Sequence, residues 1–70
     1  MNKDDTLKAV DAAFLAGVNR LYEVFVQGLQ IGTTPDVLEA RFQRGLASNL
    51  DAYGKIRIVV QDYFKGKPGD

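Results

Sequence analysis

Seventy residues with nine basic and nine acidic side chains, no histidine and no cysteine, carry no net charge. This composition excludes a disulfide framework and leaves only carboxylates to bind a metal, while the balanced charge gives no strong field to draw in nucleic acid or anionic lipid. A chain this short closes a marginal core, and with disulfides and metal set aside, oligomerisation is the stabilising device that remains.

The start, Met1-Asn2-Lys3-Asp4-Asp5-Thr6, has no apolar stretch behind a basic residue, so no signal peptide is expected. The first predicted element is a helix over about 5–31, capped by Asp4, Asp5 or Thr6, with Asp4 and Lys8 spaced as an i,i+4 pair. Leu7, Val10, Phe14, Gly17, Leu21, Val24, Gly28 and Ile31 recur at three-four spacing, a heptad seam. The apolar residues between Leu7 and Leu29 spread over roughly 200° of a helical wheel, against little more than about 100° for an ordinary surface helix. One partner helix cannot cover that width, which points to a second copy or another protein. The uncharged run over 24–35 is too short to span a bilayer and contains Gly28, Gly32 and Pro35, so no membrane partner is expected and the setting is read as cytoplasmic.

Gly32-Thr33-Thr34-Pro35-Asp36 is the strongest local signal. Glycine suits the left-handed residue that ends a helix, Thr34 an N-cap, Pro35 a first helical position and Asp36 the positive helix end. The turn is therefore expected at 32–34, the second helix at about 35–64, and a frayed tail at 65–70. A link this short makes the helices antiparallel neighbours. The second seam reads Leu38, Phe42, Leu46, Leu50 (or Asn49), Tyr53, Ile56, Val60 and Tyr63 or Phe64. The fold class is all-α: a single helical-hairpin domain, with two hairpins expected to dimerise into a four-helix bundle.

The candidate dimer and core residues are Val10, Phe14, Val18, Leu21, Phe25, Leu29, Leu38, Phe42, Leu46, Leu50, Tyr53, Ile56 and Val60. Each helix-interior glycine costs about 1 kcal/mol relative to alanine, so Gly17, Gly28, Gly45 and Gly54 need an offset. Gly17 and Gly28 with Ala9 and Ala13, and Ala40, Ala47 and Gly54 at seven-residue spacing, suggest a second close-packing surface for another chain. Asn49 projects into the apolar face of helix two level with Gly17, where one amide can fix register. Asp11 falls near Lys55 and Arg57, which suggests an ion pair between the helices.

Catalysis has little to work with. There is no thiol or imidazole, Ser48 is the single serine, no glycine-rich phosphate loop occurs, and the carboxylates lie on different faces. No enzyme activity, metal, cofactor or small-molecule substrate is expected. The leading expectation is a small homodimeric regulatory module that binds, and inhibits or sequesters, a larger protein, with Tyr22, Val26, Arg41 and Arg44 as anchors. Small helical dimers of that sort include phage inhibitors, antiactivators and secretion co-chaperones. The hairpin architecture is similar to that of small plasmid proteins of the Rop type, whose paired hairpins bind RNA. The similarity is one of shape, and it implies an alternative as an RNA or DNA binder through Arg41, Arg44 and Lys55. A structural subunit of a larger helical assembly is the third possibility.

Overall fold

The computed structural model describes residues 1–67 and contains two α-helices, α1 (Lys3–Gln30) and α2 (Pro35–Phe64). They fold back on each other as a hairpin spanning 54 × 17 × 8 Å between Cα extremes.

α1 begins two residues earlier than the spacing suggests, because Asn2 rather than Asp4, Asp5 or Thr6 is its cap. The Asn2 side chain accepts the Asp5 N–H at 2.8 Å, and the Thr6 hydroxyl donates to the Asn2 carbonyl at 2.8 Å. Asp4 and Asp5 instead sit in the first turn, where negative charge meets the positive helix end. Asp4 and Lys8 do not close into an ion pair. α1 ends at Ile31 in a Schellman arrangement: Gly32 takes φ +87°, its N–H donates to the Leu29 carbonyl, and Thr33 N–H donates to the Gly28 carbonyl at 2.9 Å. Thr34 holds the N-cap position of α2 with Pro35 behind it, but its hydroxyl makes no capping bond. The backbone thus fixes the turn, and the expected threonine cap contributes only its extended conformation.

Three glycines set how closely the helices approach. A Cβ on Gly28 would run into the Leu38 side chain, one on Gly45 into Leu21, and one on Gly17 would lie 2.6 Å from Asn49 Nδ2. These contacts fix the antiparallel register and correct the expectation that Gly17 and Gly28 form a surface for another chain: they seat side chains of the hairpin itself. Gly54 differs, with nothing within 4 Å of its added Cβ. They also settle the seam of α2 on Asn49 rather than Leu50, and Phe64, half-buried, rather than Tyr63.

Only two apolar side chains are buried among the described residues, Leu38 at 2% exposure and Val60 at 8%. Phe14, Val18, Leu21, Phe25, Phe42, Leu46 and Tyr53 are half-buried. Phe14 stacks on Tyr53 with ring centroids 4.6 Å apart, and Phe25 meets Phe42 edge-on at 6.2 Å. Leu29, Leu50 and Ile56, placed in the core by their spacing, are about half exposed in the hairpin. They flank the seam, and one neighbouring helix reaches only its centre. Of the tail, residues 65–67 turn away from the helix through Gly66 at φ +74°, and Lys67 Nζ lies 4.7 Å from the Tyr63 ring centroid. The remainder of the expected frayed segment lies outside the described residues.

Candidate interaction surfaces

A two-helix hairpin has two broad faces, and the sequence distributes its side chains unequally between them. On one face Leu15, Tyr22 and Leu29 follow one another at seven-residue spacing along α1, with Val18 and Val26 beside them. Leu46 and Leu50 line the adjoining edge of α2. Tyr22 walls a shallow apolar groove with Phe25, Glu39, Phe42 and Gln43. Leu15 is 59% exposed and Tyr22 67% exposed, so large apolar side chains stand in solvent here.

The opposite face holds Val24, Arg41, Ile56 and Val59. Arg41 borders a small groove with Leu21, Val24, Leu38 and Phe42, and a second depression lies between Val10, Phe14, Asn49 and Ile56. Arg44 and Lys55 follow Arg41 along the outer side of α2. Lys55 is engaged by Asp51 at 2.9 Å, whereas Arg41 and Arg44 make no ion pair among the described residues. The four anchors expected from the sequence therefore do not converge: Tyr22 and Val26 belong to the first face, Arg41 and Arg44 to the second. The wheel of each helix is legible from sequence, but which edge of α1 adjoins which edge of α2 depends on the hand of the hairpin.

Between the helices lies one polar cluster. Tyr53 donates its hydroxyl proton to Asp11, and Arg57 Nη1 lies 3.2 Å from both the Asp11 carboxylate and the Tyr53 oxygen. The Arg57 guanidinium also sits 5.5 Å from the Tyr53 ring centroid. The expected inter-helix ion pair of Asp11 is thus with Arg57, while Lys55 turns to Asp51. Reading charges alone misses Tyr53 as a partner; its signal is the four-residue spacing to Arg57, which stacks the two side chains on one helix edge. Asn49 lies against Gly17 at the midpoint of the seam.

Among the described residues no three acidic side chains converge to hold a metal ion, and no helix is long and apolar enough to cross a membrane. No family model matches the chain, and neither a curated protein nor a solved structure shows significant similarity to it.

Proposed function

We propose that the chain is a small, non-enzymatic, cytoplasmic protein that pairs with a second copy into a four-helix bundle and binds, and thereby inhibits or sequesters, a larger protein. The observation that carries this reading is the surface the hairpin leaves uncovered. It exposes 5350 Å², against about 4,300 Å² for a compact monomer of its mass. The excess of roughly 1,000 Å² is close to the ~800 Å² that each partner buries in a standard interface. A second copy uses one broad face, and the face bearing Arg41 and Arg44 is left for the larger protein, with apolar side chains at its centre and arginines at the rim.

The test is affinity capture from cells by the wild-type chain and by two double variants, Arg41→Ala/Arg44→Ala and Tyr22→Ala/Val26→Ala, each checked for solution mass. The reading expects a specific protein to be retained by the wild type and lost from the arginine variant at unchanged mass. Equal retention by all three sinks it.

A second reading, RNA or DNA binding in the Rop manner, is favoured by the absence of acidic partners at Arg41 and Arg44. It requires retention on nucleic acid that weakens steeply with salt, with a log-log slope of about one for every phosphate neutralised. Flow-through at low salt ends it.

A further inference from the structure

We infer that the second copy seats on the face of Leu15, Tyr22, Leu46 and Leu50, turned end for end, so that α1 lies on its own copy and α2 on its own copy about a two-fold axis level with Val18. This inference rests on the dimer reading above and names its surface and register.

The choice of face follows from charge. Along the Leu15 face no ionised group intrudes between the Asp11–Arg57 pair near the open end and Glu39 near the turn. The opposite face carries Arg41 within its apolar surface and Lys55 beside it. A two-fold interface joins a patch to itself, so on that face Arg41, which makes no ion pair among the described residues, would be desolvated without a counter-ion of its own. The uncharged face has no such penalty.

The register follows from where the remaining charges stand. On α2, Glu39 and Arg57 lie equally far on either side of the level of Ser48, and Leu46 and Leu50 lie equally far inside them. An axis perpendicular to the helices at that level sets Leu46 against the copy's Leu50 and Glu39 against the copy's Arg57. Gly17 packs against Asn49, so the same level on α1 is that of Val18. There Val18 meets its own copy, and Leu15 meets Tyr22. Arg57 uses Nη1 toward Asp11, and a guanidinium has further N–H donors for a second carboxylate. An axis running along the hairpin would instead set Glu39 over the end of α1 near Val26 and Gln30, where no cation stands.

The area requires near-complete overlap. A face of 54 × 17 Å has a footprint of roughly 900 Å², of the order of the ~800 Å² per partner of a stable interface. Docking at one end alone would fall short of it.

The chain has no cysteine, so single introduced thiols report the packing directly. Val18→Cys and Val59→Cys are prepared separately in the full chain, with helicity checked by circular dichroism and mass by light scattering. The inference expects Val18→Cys to form a disulfide-linked dimer under mild oxidation on the order of tenfold faster than Val59→Cys, because disulfides need Cα atoms within ~7 Å. Equal rates, or the reverse ranking, in a chain of dimeric mass overturn the choice of face. Slow self-linking of Val18→Cys with rapid linking to Leu50→Cys in a mixture puts the axis along the hairpin and overturns the register. A wild-type chain at single-chain mass overturns the dimer reading itself, a different outcome from either.

Discussion

The two halves of the hairpin are closed by different means. Near the turn the seam is built from small-against-large pairs: Gly28 receives Leu38 and Gly45 receives Leu21, and Leu38 is the most completely buried side chain described. Toward the open ends the seam is built from an aromatic stack, Phe14 on Tyr53, and from the polar cluster of Asp11, Tyr53 and Arg57. The first device finishes a piece of core within one chain. The second leaves groups half in water, Asp11 with a side chain 48% exposed and Arg57 34% exposed. Near the turn glycine lets the axes approach and the core closes; in the open half Val60 is the one buried side chain described, and the groups around the polar cluster stay half in water.

The comparison breaks most readily at Leu38. Leu38→Ala leaves a cavity between tightly apposed backbones, and the chain is expected to lose about 2–5 kcal/mol, read from the urea midpoint. Because the stability of the proposed dimer depends on protomer concentration, all variants are compared at one concentration. Gly28→Ala is next. Its methyl group meets the end of the Leu38 side chain, which is 2% exposed and must shift, so a loss of about 1–3 kcal/mol is expected despite the helix-propensity gain of about 1 kcal/mol. In the open half the effects are smaller. Tyr53→Phe removes the hydrogen bond to the Asp11 carboxylate and the acceptor of Arg57 Nη1, at groups that water also reaches, and the expected loss is about 0.5–1 kcal/mol. Gly54→Ala sharpens the contrast, since within the hairpin its added methyl group meets nothing and the stability read from the midpoint should rise by up to about 1 kcal/mol. A fall with Gly54→Ala, or no change with Gly28→Ala, would show that the glycines do not divide between packing and open positions as described.

Much of the fold is legible in the sequence, because its signals are local. The glycine–threonine–proline run fixes the turn to within a residue, and the three-four spacing marks both seams. The level of Asn49 with Gly17 follows from counting outward from the turn. Other features depend on the third dimension. Asn2 is hard to single out as a cap because three other capping residues follow it closely. The glycines look like an external surface because a wheel shows that small residues share a side, not what lies against that side. Leu29, Leu50 and Ile56 have core spacing but flank positions, since seam width depends on how far a single neighbour reaches. Tyr22, Val26, Arg41 and Arg44 look like one set of anchors on separate wheels, and only the folded hairpin separates them.

The proposed dimer makes the hairpin half of a larger bundle. The most direct measurement is the solution mass of the unmodified chain by light scattering behind a sizing column, over a wide range of concentration. A dimer gives twice the chain mass, held on dilution until unfolding accompanies dissociation. A folded helical species at single-chain mass throughout the range would contradict it.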